Sequence, residues 1–131
     1  MEREEVTWAL VCEGFDPLNE RGAEAVFAVA NGHFGVRAAL EEGNPASNPM
    51  VIVAGIYVPT NLPAGQTLLT LPDPSTLFVS ANSVNFSMST VRTNTHLRHL
   101  DMRRAILRRS WSFTDRHGHS WRWQSLRAAS A

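Results

Sequence analysis

The sequence predicts an all-β fold, an antiparallel β-sandwich, and three observations lead to this prediction. An Asn31-Gly32 pair, the dipeptide that most favours a tight hairpin, stands between two apolar runs. Val84, Phe86 and Met88 alternate with polar residues, as in a strand with one buried face. Strand-like runs recur along the chain with short turns between them, which favours two packed sheets over a helical fold.

The individual strands follow from the same patterns. We predict strands over residues 24–30, 34–40, 51–58, 75–82, 83–91, 102–113 and 121–129, with a short run at 66–70. The Pro- and Gly-containing segment 43–49 is predicted to be a loop. Residues 96–111 also fit a helical period in part, but Gly118 could supply the positive-φ position of a hairpin loop after them.

The first hairpin makes a more detailed prediction. Phe34, Val36, Ala38 and Leu40 are expected to share one buried face, because successive strand residues point to opposite sides of a sheet. Arg37 would then point the other way. It would need an acidic partner or a neighbouring domain.

Length and charge limit the classes of function. The 131 residues favour one domain or part of one, and the formal net charge is zero. The first 60 residues carry nine acids and three Arg, and the rest carry three acids and nine Arg. Either the two halves neutralise each other within one sheet system, or the second half forms a basic patch for an anionic ligand.

Compartment is inferred from cysteine usage and apolar runs. Cys12 is the only cysteine, so no intramolecular disulfide can form, and a small core residue is the simpler interpretation of it. The acidic start lacks a signal-peptide pattern, and the run at 50–58 is too short to span a bilayer. We therefore expect a soluble, cytoplasmic protein without membrane attachment.

The residue types needed for catalysis are present without the spacing that catalysis needs. His96 and His99, and the His117–His119 pair, lack the further ligands of a zinc site, and neither a nucleophile elbow nor a phosphate loop occurs. We predict no catalytic residue, no metal site and no cofactor. Adjacent Glu41 and Glu42 would point to opposite faces of a strand, so we expect a solvated strand end or salt bridges to the Arg-rich half.

Aromatic residues supply the one candidate ligand surface. Trp111 shares a strand face with Phe113, and Trp121 shares one with Trp123. Such faces, mixed with Arg, can stack on sugars or bases, which makes Trp111, Trp121 and Trp123 candidate carbohydrate-binding residues. The alternative is that they are core-facing cross-strand pairs, and the register of the hairpin decides between the two. Nucleic-acid binding is the least favoured function.

Two motifs carry a resemblance to a known family. The pattern E-x-x-F-x-x-x-N-G-x-x-G-x-R runs from Glu24 to Arg37, and L-D-M-R occupies residues 100–103. With them, nearly the whole chain resembles the N-terminal domain of glycoside hydrolase family 65, which includes maltose, trehalose and kojibiose phosphorylases and some trehalose hydrolases. The motif residues are Asn31, Gly32, Gly35, Arg37, Asp101 and Arg103. Ala38 and Ala105 depart from the family, which usually has Gly at both positions.

The resemblance implies a galactose mutarotase-like super-sandwich. In the family this domain precedes an (α/α)6 barrel that holds the general-acid Glu and the phosphate site, and it buttresses that barrel and often helps to form a dimer. We therefore interpret residues 1–131 as an incomplete sandwich that supports a catalytic domain lying outside this sequence and is inactive alone. A second copy of the chain and a carbohydrate are the other partners considered. The alternative function is a stand-alone carbohydrate-binding module.

Overall fold

The computed structural model describes residues 8–129, which form antiparallel sheets and one short helix. The elements are β1 (Ala9–Glu13), α1 (Glu20–Val26), β2 (Val29–Ala30), β3 (Phe34–Val36), β4 (Val51–Pro59), β5 (Gln66–Leu71), β6 (Ser80–Ala81), β7 (Val84–Asn85), β8 (Arg92–Asp101), β9 (Ile106–Thr114) and β10 (Ser120–Ala128). The main sheet has the order β1-β8-β9-β10, and the second sheet has the order β2-β3-β4-β5. Strands β6 and β7 pair only with each other and form a separate two-stranded hairpin. The predicted all-β fold class is confirmed.

The predicted strand over residues 24–30 is wrong for most of its length, because residues 24–26 belong to a helix and only Val29 and Ala30 form a strand. Helix α1 covers ERGAEAV, whose Ala and Glu residues are good helix formers. Glu20 and Glu24 stand four residues apart and are both buried, so they lie on the helix face that turns inward. Burial of that face, rather than an alternating pattern, decides the local structure.

The first hairpin forms where it was predicted but is shorter. Ala30 pairs with Gly35, and Gly32 has a φ of 88°, which a residue without a side chain adopts at little cost. The Asn31 side-chain oxygen accepts hydrogen bonds from the backbone N–H groups of His33 and Phe34, both at 3.0 Å. Asn31 and Gly32 therefore shape a longer loop than the two-residue turn expected from the dipeptide.

The predicted shared face of the second hairpin strand is only partly correct. Ala38 and Leu40 are buried, but Phe34 is 38% exposed. The strand ends at Val36, so the alternation on which the prediction rested does not continue to residue 40. Ala39 is consequently buried as well.

The strand predicted over residues 51–58 is confirmed, whereas the two strands predicted between residues 75 and 91 are much shorter than expected. Strand β4 matches the predicted run at residues 51–58, and its pairing with β5 shifts register between Ile52 and Tyr57. The strands predicted over 75–82 and 83–91 shrink to two residues each. The turn predicted near Asn82-Ser83 is confirmed, since both residues have positive φ, 50° and 60°, as a tight hairpin turn requires.

The second long hairpin is confirmed, with one boundary corrected. Strands β9 and β10 pair along their full length around the loop of Gly118, whose φ is 85°. The strand predicted over 102–113 begins only at Ile106, because a turn at residues 102–105 separates it from β8. The Asp101 carboxylate closes this turn by accepting hydrogen bonds from the backbone N–H groups of Arg103 and Arg104 at 3.0 and 3.1 Å.

Two apolar clusters cover opposite ends of the inner face of the main sheet. Leu100 and Leu107 pack with residues of the second sheet and its approach, namely Phe27, Val29 and Ala38. Cys12 joins this cluster as a partly buried residue, as predicted. At the other end, Trp111 and Phe113 pack with Val84 and Phe86 of the β6-β7 segment. The stretch of inner face between the two clusters is polar.

Replacing Ala105 with Gly is expected to stabilise the protein by about 1 kcal/mol. Ala105 has a φ of 51°, and an L side chain in that region strains the backbone at a cost of about 1–2 kcal/mol. Glycine removes the strain and loses part of the gain to its more flexible unfolded chain. Urea denaturation of the two proteins measures the difference.

Ala38 is the matched control, because it is the other position where the family usually has Gly. Its methyl group is buried, and it is not among the described residues with positive φ. Ala38→Gly should therefore lower the free energy of unfolding by about 1 kcal/mol. If both glycine variants moved stability in the same direction, backbone strain at Ala105 would not be the cause.

Candidate functional site

A buried ionic cluster occupies the polar stretch of the inner face, and Arg109 is its centre. The guanidinium Nη1 donates to Glu41 Oε2 at 2.7 Å and to Glu42 Oε2 at 2.6 Å, and Nη2 donates to Glu42 Oε1 at 2.7 Å. Desolvation lowers the pKa of Arg109, but the two carboxylates outweigh it and raise the pKa above its usual value. The cluster therefore holds a permanent buried cation and its counter-charges.

The two adjacent glutamates converge on one cation, contrary to the prediction that they point to opposite faces. They lie in a turn, where Gly43 N donates to Leu40 O at 3.0 Å, and not on a strand. A turn does not impose the two-residue alternation of a strand, so both side chains can reach Arg109. The alternative prediction, salt bridges to the Arg-rich half, is confirmed.

Glu41 also ties the last strand of the main sheet to the cluster. Its Oε1 accepts hydrogen bonds from Ser125 Oγ at 2.7 Å and from Arg127 Nε at 3.2 Å. Burial raises the pKa of Glu41, but the positive charges of Arg109 and Arg127 and the bond from Ser125 outweigh it, so the pKa lies below the usual value. Arg127 further donates to the carbonyls of Arg37 and Ala39, at 3.1 and 2.5 Å.

His96 completes the cluster as a neutral imidazole. Arg109 Nε donates to His96 Nε2 at 2.9 Å, and His96 Nδ1 lies 2.9 Å from Gly14 O. Since an arginine can only donate, Nε2 must accept, and the proton is on Nδ1. Desolvation, together with the adjacent Arg109 and Arg98, lowers the pKa of His96 to about 4 even though the Gly14 carbonyl favours the charged form.

Stability is expected to fall by roughly 2–3 kcal/mol as the pH drops from 7 to 4.5. Below its ordinary pKa of 6.5, His96 takes up a proton in the unfolded chain but stays neutral in the folded one until about pH 4. The stability it supplies is thus complete above pH 6.5 and is lost as the pH falls towards 4. Urea denaturation at half-unit steps measures the slope.

Two substitutions test the assignment of that slope. His96→Gln removes the titrating group, so the slope between pH 6.5 and 4.5 should flatten. His33→Gln is the control, because His33 is exposed and should leave the slope unchanged. A slope that persisted in His96→Gln would assign the effect to another group.

A second buried pair lies beside the Arg109 cluster. Arg98 stands opposite Arg109 in the register of β8 and β9, and it donates to both carboxylate oxygens of Glu20 on α1, at 3.2 and 2.5 Å. Burial raises the pKa of Glu20, and the contact with Arg98 opposes that effect without cancelling it. The pair joins the helix to the middle of the main sheet.

The residues of the family motifs serve the same internal framework. Glu24 and Arg37, the first and last residues of the longer motif, form an ion pair with Nη2 and Oε2 at 3.4 Å. This is the acidic partner predicted for Arg37, and it lies within the chain. Gly35 sits in the β2-β3 ladder opposite Ala30. Arg103, next to the Asp101 turn, places its guanidinium 5.5 Å from the centre of the Trp8 ring.

The three candidate tryptophans come together on one face. The register pairs Trp111 with Trp123 and Phe113 with Trp121. Trp111 is 2% exposed, its ring centre lies 4.1 Å from that of Phe113, and its indole N–H donates to Thr93 Oγ1 at 3.1 Å. Trp121 and Trp123 are half-buried on β10, an edge strand. The arrangement is that of the core-facing alternative, with two rings near the sheet edge.

Sequence reasoning missed the ionic cluster. It considered salt bridges for Glu41 and Glu42 as one of two alternatives, but it assigned no role to His96, Arg98 or Arg109. A signal was available, because both arginines fall in phase with the buried residues of their strands: Arg98 alternates with Leu100, and Arg109 alternates with Leu107 and Trp111. A charge on an apolar face predicts a buried partner.

The described residues show neither a metal-binding cluster nor a membrane-spanning helix. Within residues 8–129 there is no group of three or more His, Cys, Asp or Glu side chains that could hold a metal ion. None of the helices in that part of the chain is long and apolar enough to cross a membrane.

Comparison with known proteins supplies the family. The profile of the glycosyl hydrolase family 65 N-terminal domain matches residues 10–131. The chain belongs to this family. An uncharacterized glycosyl hydrolase of Mycobacterium tuberculosis, found in strains CDC 1551 and H37Rv, is 34% identical over an alignment of 120 positions that covers 85% of this chain.

A solved structure has a similar fold. A protein from the human microbiome assigned as a kojibiose phosphorylase aligns with 80% of this chain at a TM-score of 0.67 and 19% identity, a likeness that concerns the fold alone. The chain spans 9% of the length of the mycobacterial relative and 15% of the microbiome protein. The chain therefore corresponds to a small part of each of these two proteins.

Proposed function

We propose that this chain is a support domain of an α-glucoside phosphorylase or hydrolase in carbohydrate metabolism, and that it supplies no catalytic residue. The observation that carries the proposal is the commitment of the buried carboxylates to internal arginines. Glu20, Glu24, Glu41 and Glu42 all contact Arg side chains that join separate elements of the fold. They hold separate elements of the fold together.

Glycoside chemistry would require something different of Glu41 and Glu42. One carboxyl group must be protonated at working pH to donate to the leaving oxygen, and a second must face the opposite side of the sugar. The pKa of Glu41 is lowered, and both oxygens of Glu42 are held by Arg109. In the proposal, the acid belongs to an (α/α)6 catalytic domain encoded outside this sequence. Cys12 is a free cysteine, and proteins without disulfides are typical of reducing compartments, so the proposal also places the protein in the cytoplasm.

The activity assay is direct. The purified chain is incubated with maltose, trehalose or kojibiose, each with and without inorganic phosphate, beside a full-length maltose phosphorylase as positive control. We expect no release of glucose or sugar phosphate above the blank. Turnover of any disaccharide would refute the absence of catalytic residues, and a downstream reading frame without an (α/α)6 segment would refute the support role.

A carbohydrate-binding role is the second candidate, and the edge position of β10 favours it. Trp121 and Trp123 are half-buried there, so part of each ring is exposed, although the Trp123 indole N–H is itself buried and has no hydrogen-bond partner among residues 8–129. A partly exposed aromatic ring offers a face on which a sugar can stack. Adding α-glucans at millimolar concentration should then quench or shift the tryptophan fluorescence, and an unchanged spectrum would exclude this role.

Self-association is proposed as the partner state of the isolated chain. Strand β10 lies at the edge of the main sheet over nine residues, and β1 forms the other edge. Long edge strands offer unpaired backbone groups to a second copy. Size-exclusion chromatography should show a dimer or larger species, and a sharp monomer peak across concentrations would contradict the proposal.

A further inference from the structure

The outer face of the main sheet, opposite the ionic cluster, carries an open groove across β8, β9 and β10. Its volume is about 510 Å³. Two cross-strand rows line it. Leu97, Ser110 and Gln124 stand in one row, and His99, Arg108 and Leu126 stand in the next.

The polar side chains of these two rows make no hydrogen bonds or ion pairs with other residues in the described part of the chain. Arg108 is exposed and makes no ion pair or hydrogen bond with any residue between 8 and 129. Within the same residues, the side chains of Ser110 and Gln124 are also without partners. His99 Nδ1 is buried and lacks a hydrogen-bond partner there, and a buried polar atom of this kind usually has one.

The composition of the lining selects the charge of a ligand. Arg108 is a cation, and no carboxylate of the described chain lines the groove. An unpaired guanidinium on a strand face binds planar or tetrahedral anions through two parallel N–H groups. The hydroxyl, amide and imidazole groups beside it suit a ligand that also carries several hydroxyl groups.

We propose that the groove binds a small hydroxylated anion of the sugar phosphate class. Arg108 takes the anionic group, and His99, Ser110 and Gln124 bond the hydroxyls. Leu97 and Leu126 cover the apolar faces of the ligand. The volume lies within the usual range for small-molecule sites, about 300–1,000 Å³. The inference rests on the lining residues alone and stands or falls independently of the proposed support function.

The same sheet face provides a matched control in Arg122. It is exposed like Arg108 and is also without a partner in the described part of the chain. It lies opposite Ser112, one row beyond Ser110 and Gln124, and does not line the groove. It lines an adjacent depression of about 210 Å³, which shares Ser110 and Gln124 with the groove. Replacing either arginine with Gln removes the same charge from the same face, but only Arg108→Gln changes the groove.

The test is a titration of the full chain with glucose 6-phosphate, followed by the backbone amide shifts in a two-dimensional NMR spectrum. We expect a millimolar Kd, shifts concentrated at residues 97–99, 108–110 and 124–126, and weaker binding of glucose alone and of inorganic phosphate alone. Arg108→Gln should weaken binding about tenfold, as the loss of a charged hydrogen-bonded contact does. Arg122→Gln should leave the Kd within about twofold of the parent value.

Three outcomes would overturn the proposal. Localised shifts could be absent at millimolar glucose 6-phosphate. Arg108→Gln and Arg122→Gln could weaken binding equally, which would mean non-specific attraction to a basic face. Glucose could bind as tightly as glucose 6-phosphate, which would remove the anion from the recognition. The dispersion of each variant's spectrum confirms that it remains folded.

Discussion

Replacing Arg109 with Ala is expected to lower the free energy of unfolding by about 3–5 kcal/mol, the usual cost of leaving one partner of a buried ion pair alone. Three strong contacts, at 2.6–2.7 Å, join its guanidinium to Glu41 and Glu42, and the N–H at Nε satisfies His96. Without Arg109, Glu42 loses the cation bound to both of its oxygens. Many small domains have total stabilities of only about 5–15 kcal/mol, so the variant should be close to unfolded.

Its neighbour on the same strand gives the control. Arg108 has the same charge and the same strand propensity, but its side chain is exposed on the outer face. Arg108→Ala should change stability by no more than about 0.5 kcal/mol. Urea denaturation followed by tryptophan fluorescence compares the variants. Equal losses in the two would mean that charge on β9, and not the buried cluster, matters.

A third variant separates net stabilisation from the cost of an orphaned charge. Replacing Arg109 with Met and both glutamates with Gln removes the charges together, and a buried ion pair exchanged for uncharged side chains is often close to neutral. We expect the triple variant to recover a large part of the loss seen in Arg109→Ala. No recovery at all would indicate that the cluster itself stabilises the fold.

The ionic cluster also explains the charge asymmetry of the sequence. The acid-rich first half supplies Glu20, Glu41 and Glu42, and the Arg-rich second half supplies their partners Arg98, Arg109 and Arg127. The two halves meet across the inner face of the main sheet. Of the two interpretations of the asymmetry, mutual neutralisation is the one that the structure bears out for these residues. Arg108 and Arg122 remain as exposed cations outside it.

Sequence patterns predicted the second hairpin well because its signals are local. Residues 106–114 alternate buried with more exposed side chains, residues 120–128 alternate half-buried with exposed ones, and a single glycine with positive φ closes the loop. The helix at Glu20–Val26 escaped prediction because its apolar residues fit a short strand equally well. The segment is helical because this places Glu20 and Glu24 on one buried face, against Arg98 and Arg37, which lie 78 and 13 residues away in the sequence.

The candidate site was less predictable than the fold for the same reason. Pairing of Arg109 with Glu41 spans 68 residues, and no local pattern encodes a contact of that range. The aromatic faces were predicted correctly as faces, but their burial depended on the β9-β10 register and on the β6-β7 segment that covers them. The register of two strands and the segment that packs over them depend on the tertiary structure, so a local sequence pattern does not predict them.

Trp111→Ala is expected to cost about 3–5 kcal/mol, the range found when a large buried aromatic side chain is truncated. Trp111 sits at the junction of the two inner-face regions. Its ring packs against Phe113, and the Arg109 guanidinium carbon lies 5.1 Å from its centre. Truncation therefore leaves a cavity in the aromatic cluster and removes one wall of the ionic cluster. The free energy of unfolding from urea denaturation, followed by far-UV circular dichroism, measures the loss.

Two matched variants test whether the loss of stability comes from the core position of Trp111. Trp111→Phe keeps a packed ring but loses the indole N–H bond to Thr93, so a smaller loss of about 1–2 kcal/mol is expected. Trp8→Ala removes the same side chain from a position that is 49% exposed and should cost less than about 1 kcal/mol. If Trp111→Ala were as stable as Trp8→Ala, Trp111 would not be a core residue.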